Sequence, residues 1–216
     1  MIGAFFDMDR TLLRSHSGAL WIRHLRSKGE ISRYEALRAY AWMVQYKLSL
    51  LDFDRMTRRV VARMAGDLES ELLEKCQKWV QAEVLSEVVP KARAAIEGHR
   101  AQGHVLAILS SAARYVTEPL AKELGLDAVL CTHVEVEGGR FTGRVVQPVC
   151  YGEGKVQWAE EFAKARGIDL DRSYFYTDSY SDLPMLVRVG QRVVVNPDVR
   201  LKRYARRNGW TIEAWA

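Results

Sequence analysis

The sequence predicts an α/β fold: a three-layer core with a parallel sheet between helices, and a helical segment inserted after the first strand. Three observations carry this. Short apolar runs at 2–6, 105–109, 174–177 and 192–195 each end in polar or turn-forming residues. Helical patterns separate them, as crossovers between parallel strands do. Residues 15–85 hold no strand-like run, and there Leu37, Ala41, Val44 and Leu48 recur at helical spacing.

The first run leads directly into Asp7-Met8-Asp9-Arg10-Thr11. On a persisting strand, residues 7 and 9 point to one side and share one space. Residues 15–85 are too long for a simple crossover and are placed over the ligand end of the sheet, which in parallel sheets is the carboxyl end. A helix at 91–102 precedes the second strand, and one at 116–124 follows it and stops at Gly125. Residues 132–148 read as a β-hairpin: Val134 and Val136 alternate with Glu135 and Glu137, Gly138-Gly139 turns, and 140–146 returns. The helix at 156–166 stops at Gly167, and the last core strand ends at Asn196-Pro197. The expected division is a core of 1–14 with 86–216 and a cap of 15–85.

Composition narrows the classes. The 216 residues can bury one core with a smaller insert. No apolar run approaches the roughly 20 residues of a membrane span. The start shows neither a basic region nor a small-residue cleavage site, so no signal peptide and a cytoplasmic location are expected. Cys76, Cys131 and Cys150 are odd in number without C-x-x-C spacing, which favours free thiols. The net charge of +5 suits an anionic substrate without selecting one. His99, His104 and His133 lack zinc-ligand spacing, and no G-x-S-x-G elbow occurs.

The polar residues beyond the strands are the site candidates. Two carboxylates as close as Asp7 and Asp9 need a cation or a shared proton, although Asp at a strand end is also ordinary turn chemistry. Ser110 and Ser111 follow the second strand, where a hydroxyl and free N–H groups opening a helix can hold a phosphate oxygen or simply cap the helix. Lys155, in Gly152-Glu153-Gly154-Lys155, stands at a helix mouth that backbone glycines open to an anion. Asp178 and Asp182 follow the third strand, one helical turn apart, and offer oxygens to a hard cation.

In this order, Asp7-Met8-Asp9-Arg10-Thr11, Leu109-Ser110-Ser111, Gly154-Lys155 and Asp178 through Met185, the chain resembles the haloacid dehalogenase-like superfamily, in its phosphoserine-phosphatase-like branch (subfamily IB). The resemblance spans nearly the whole chain and implies a Rossmann-like core with a helical cap. It implies a phosphatase that hydrolyses a phosphate monoester through a phospho-aspartate on Asp7, with Asp9 as general acid and then base. Ser110, Ser111, Lys155 and Thr11 would face the substrate phosphate, Thr11 also fixing the loop. Mg²⁺ would be held by Asp7, Asp9 and Asp178, with a backbone carbonyl near Asp9 contributing, and Asp182 would orient Lys155 or metal-bound water. Thr177 and Ser111 stand where the family commonly has glycine, and serine-recognising cap residues are not evident.

A small polar phosphate ester is the expected partner. His16 and Ser17, where cap meets core, are candidate substrate contacts. The insert carries Trp21, Arg23, His24, Arg26, Tyr34, Arg38, Tyr40, Trp42, Tyr46 and Arg58-Arg59. Core packing with solvated charges explains these better than a membrane surface, which would make the target a lysophospholipid or phosphatidylglycerophosphate headgroup. Residues 200–207 are basic, and a solvated helix face explains them better than a nucleic-acid contact. A phosphate-binding protein without turnover is the remaining alternative, and the completeness of the set argues against it.

Overall fold

The N-terminal apolar run forms β1 (Gly3–Phe6), buried at every residue. In the computed structural model, which describes residues 1–47 and 53–215, its side chains alternate between two cores: Ala4 and Phe6 enter one, Phe5 the other. That alternation is what period-two geometry demands of a strand covered on both faces. Four helices follow: α1 (Ser17–Ser27), α2 (Arg33–Lys47), α3 (Phe53–Ala62) and α4 (Glu69–Trp79). Then come α5 (Pro90–Ala101), β2 (Val105–Ala113), α6 (Arg114–Glu123) and β3 (Ala128–Thr132). The hairpin β4 (Val134–Glu137) and β5 (Arg140–Val145) precedes α7 (Glu153–Arg166), β6 (Tyr174–Thr177) and α8 (Leu183–Arg188). The chain closes with β7 (Gln191–Val195), α9 (Val199–Arg207) and β8 (Ile212–Glu213).

The main sheet is parallel throughout, in the order β3-β2-β1-β6-β7-β8. One face is covered by apolar residues of α5 and α6, among them Ile96 and Leu120, with Trp79, Val80 and Val84. The other is covered from α7, α8 and α9, through Ala159, Leu186 and Leu201. Fully buried Phe5, Phe6 and Phe175 anchor these layers, each contributing on the order of 2–3 kcal/mol of transfer free energy.

The segment between β1 and β2 leaves and rejoins the core at one neck. Leu13 and Val88 form an antiparallel bridge, flanked by Arg14 N–H to the Glu87 carbonyl (2.8 Å) and Val89 N–H to the Leu12 carbonyl (3.0 Å). The hairpin attaches to this helical segment. Leu68 bridges Arg140, Gly66 N–H donates to the Phe141 carbonyl, and Val61, Cys76, Tyr115, Val134 and Phe141 share a third small core.

Three expectations need correction. The helical stripe on α2 turns outward where it is described: Leu37 is 68% exposed and Ala41 is exposed, while Ala36 is buried. Leu48 and the side chains of Trp42, Val44 and Tyr46 lie outside the described residues. The aromatic residues of the insert divide likewise: Trp21 packs edge-on against Trp79, whereas Tyr34 is 72% exposed. β2 runs four residues past Leu109, with its register against β3 shifting between Ser110 and Ala113, so α6 begins at Arg114 and the two serines do not open it. Finally, β3 and β8 are strands that the sequence pattern does not announce.

Candidate active site

The carboxyl ends of β1, β2 and β6 meet at the middle of the sheet. Phe6 pairs with Ile108 on one side and Tyr176 on the other, so Asp7 stands level with Leu109 and Thr177, and Ser110 and Asp178 follow one residue further along their chains. Asp7 N–H extends the ladder by donating to the Tyr176 carbonyl at 2.9 Å. Beyond it the chain coils through Met8–Leu12, closed by Leu13 N–H on the Met8 carbonyl (2.9 Å), with Arg10 at φ +58°. The strand therefore does not persist to Asp9, and the two carboxylates diverge.

Lys155 reaches this place because of two glycines. Gly152, at φ +53°, starts α7 from a conformation that side chains resist. At Gly154 a Cβ would lie 2.0 Å from the Val149 carbonyl oxygen, so no other residue lets the helix begin this close to the preceding loop. The next side chain, Lys155, enters the core with 2% of its surface exposed. Its Nζ donates to Asp7 Oδ1 (2.8 Å) and Asp182 Oδ2 (2.7 Å), and lies 5.5 Å from the Phe175 ring centroid. The Thr177 hydroxyl donates to the same Asp182 oxygen at 2.6 Å. Burial opposes the ammonium charge, but Asp182 and Asp7 outweigh it and hold the Lys155 pKa above its usual value.

The acidic partners are less well compensated. Burial pushes Asp7 up, and Asp182 and Asp9 add to this, against the opposing pull of Lys155. Asp178 is 5% exposed; burial raises its pKa well above the ordinary carboxylate range, with Asp7 adding to it. The cation facing it is Arg10, whose Nε lies 3.6 Å from Asp178 Oδ2.

Asp9 stands elsewhere. Its Oδ1 accepts the Ser17 N–H at 2.8 Å, at the start of α1, and its Oδ2 lies 3.6 Å from His16 Nδ1. His16 Nε2 and Thr11 Oγ1 are buried without a hydrogen-bond partner. The Ser110 hydroxyl accepts from Ala112 N–H at 3.3 Å, and the Ser111 carbonyl accepts from the Thr132 hydroxyl at 2.9 Å.

Asp7, Lys155, Asp178, Asp182 and Thr177 thus gather in one buried cluster, with Asp9, His16 and Ser17 at its edge under α1. Among the described residues no three Asp, Glu, His or Cys side chains are grouped to enclose a metal ion. The Asp9 carboxylate is engaged by Ser17 N–H and lies beside His16, so in this structure it stands apart from the Asp7 and Asp178 carboxylates. Asp7 and Asp178, two buried carboxylates whose charge is incompletely compensated, suit a hard cation.

Sequence reasoning missed three residues. Thr177 fixes Asp182, and its place directly before Asp178 was the available signal. Arg10 faces Asp178, which its position inside the first motif does not disclose. Asp198 accepts Tyr180 N–H (2.7 Å) and donates its own N–H to the Asp178 carbonyl (2.8 Å), while capping α9 through Arg200 and Leu201 N–H. Its Asn-Pro-Asp context reads only as a turn.

A family model for haloacid dehalogenase-like hydrolases matches residues 4–187. The chain belongs to the haloacid dehalogenase-like hydrolase family. It is 31% identical to a phosphoserine phosphatase of Mycobacterium tuberculosis, over 97% of this chain and 69% of that one. It is 28% identical to a histidinol-phosphatase of Neisseria meningitidis, over 97% and 96% of the two chains. A solved Bordetella pertussis protein of unknown function superposes with a TM-score of 0.87 at 28% identity, covering 97% and 96%. A solved phosphoserine phosphatase, a phospho-aspartyl intermediate analogue, shares the fold, with a TM-score of 0.70 at 20% identity over 98% and 93%. The protein is therefore an enzyme, a phosphatase of this family. No helix among the described residues is long and apolar enough to cross a membrane.

Proposed function

We propose that the chain is a Mg²⁺-dependent phosphomonoesterase in which Asp7 takes the phosphoryl group and water then releases it. The observation that carries this is the buried Lys155 ammonium, 2.8 Å from Asp7 Oδ1 and 2.7 Å from Asp182 Oδ2, with Asp178 alongside. Such a cluster makes a carboxylate oxygen available at the end of a central strand and sets a fixed positive charge beside it. Lys155 holds Asp7 in one rotamer and offsets charge on the transferring oxygens. Asp182, fixed by the Thr177 hydroxyl, holds Lys155.

Asp9 is the general acid and base. Its carboxylate sits at the rim, under the N-terminus of α1, where a leaving oxygen enters. Ser17 N–H fixes its direction, and His16 lies beside it. Thr11 and Ser110 are assigned to phosphate binding, with Ser111 supplying backbone, and the unpartnered Thr11 hydroxyl supports this. Asp7 and Asp178 would hold the Mg²⁺ together with a backbone carbonyl from residue 9. When bound, the cation lowers like-charge repulsion between the carboxylate and the phosphate.

Residues 15–85 act as a cap over the core formed by 1–14 and 86–216. The substrate is a small polar phosphate monoester, and the similarity to phosphoserine and histidinol phosphatases supports amino-alcohol phosphates as the first class to try. A second reading, a lipid phosphate ester, has one observation in its favour: Tyr34 and Leu37 on α2 are exposed. Turnover of phosphoserine, histidinol phosphate, sugar phosphates and lysophosphatidate, each with Mg²⁺ and with EDTA, tests the proposal. Absence of Mg²⁺-dependent phosphate release from every ester would defeat it, and release from lysophosphatidate alone would select the lipid reading.

A further inference from the structure

Arg10 combines two features that ordinary loop geometry does not require together. Its backbone is left-handed, at φ +58°, in a residue that is neither glycine nor asparagine. Its guanidinium is spent on a buried carboxylate, with Nε 3.6 Å from Asp178 Oδ2, although its side chain is 36% exposed and could reach solvent. The loop around it is tied down: Arg10 N–H donates to the Ser15 carbonyl (3.4 Å) and its own carbonyl accepts from Asn196 Nδ2 (3.5 Å). The conformation therefore aims the side chain across the end of β6. Lys155 neutralises the Asp7 and Asp182 side of the cluster. No lysine reaches Asp178 in the same way among the described residues, and Arg10 is its ion-pair partner.

We propose that Arg10 is the resident counter-ion of Asp178 and that a divalent cation must displace its guanidinium to bind, so that Arg10 sets the cation affinity of the site. This rests on the assignment of Asp178 to the cation under the proposed function. Two positive charges cannot share one buried carboxylate without mutual repulsion, and the guanidinium, on a half-exposed side chain, is the one free to leave. The device keeps the metal-free protein from burying an uncompensated carboxylate and makes the bound state depend on free cation concentration.

The test compares the full chain with Arg10→Asn, since asparagine tolerates the left-handed backbone and carries no charge, and with Arg10→Gly as a second neutral variant. Mg²⁺ affinity is read by calorimetry and Mn²⁺ affinity by electron paramagnetic resonance, without substrate. Both neutral variants are expected to bind at least about tenfold more tightly than the parent chain, a gain of about 1.4 kcal/mol. In EDTA they melt below the parent, and saturating Mg²⁺ raises their melting temperature by more than it raises the parent's. A loss of packing alone would lower both curves equally. Unchanged or weaker cation affinity in both variants, with the parent binding normally, would overturn the role of Arg10 and leave the proposed function standing. Failure of the parent and both variants to bind either cation would overturn both.

Discussion

The two sides of the acidic cluster are built differently. On the Lys155 side every charge has a partner at hydrogen-bond distance: Asp7 and Asp182 share one ammonium, and Thr177 closes the network. On the Asp178 side, the ion pair is 3.6 Å long and half-exposed, and Asp9 faces the insert instead of its neighbour Asp7. The saturated side is a fixed frame, whereas under the proposed function the loosely compensated side would admit a cation and a substrate without first breaking short hydrogen bonds. Geometry is thus set by one half of the site and exchange is left to the other.

Removing the proposed nucleophile should have the largest effect. Asp7→Asn keeps the shape and the Lys155 contact, so the fold should survive while turnover of a phosphomonoester falls by roughly 10³-fold or more. Circular dichroism and p-nitrophenyl phosphate hydrolysis check both halves of that statement, and near-parental turnover would remove Asp7 from its role. Lys155→Met tests the frame directly. It strands two buried carboxylates, so a loss of about 3–5 kcal/mol is expected in urea unfolding, together with lost turnover. A stability change below about 1 kcal/mol would mean that this side is no more rigid than the other.

The same contrast governs what can be read from the sequence. Asp7, Lys155, Asp178 and Asp182 are legible through their combined order along the chain, beyond apolar runs or a glycine pair, because singly each type is ordinary turn or helix-start chemistry. The parallel sheet is legible because strands buried on both faces are continuous apolar runs. β8 has two residues and no such run. The direction of Asp9 depends on one backbone turn at Arg10, which no side-chain pattern encodes. Exposure of Leu37 was not legible either, since a helical period identifies a face without saying which way it points.

Beneath the cluster, His99 joins α5 to β6. Its Nε2 lies 2.8 Å from the Tyr176 hydroxyl and its Nδ1 2.8 Å from His104 Nδ1, and the Tyr176 carbonyl receives Asp7 N–H. Burial, with His104 adding, pushes the His99 pKa down from 6.5 to about 4. Between those values the unfolded chain binds a proton that the folded chain refuses. Stability should therefore fall as pH drops from 6.5 toward 4 and this contribution should level off below 4. The contribution is on the order of 3 kcal/mol. Urea titrations of the parent and His99→Gln across that range check it: the variant should show a shallower decline, and equal slopes would show that the floor does not titrate.

Asp198 offers the smallest and most local test, because it supports only the loose side. It receives Tyr180 N–H and donates to the Asp178 carbonyl, while its other oxygen caps α9. Asp198→Ala should cost about 1 kcal/mol through the lost cap. It also removes the acceptor of Tyr180 N–H in the turn after Asp178, so Mg²⁺ binding should weaken a few-fold even though the Asp198 N–H still donates to the Asp178 carbonyl; the Lys155 network has no contact with this side chain among its hydrogen bonds. Calorimetric Mg²⁺ titration beside a melting curve separates the two effects. If the melting temperature drops and Mg²⁺ affinity does not, Asp178 is held without help from the Asp198 carboxylate, and the loose side of the cluster is stiffer than its long ion pair suggests.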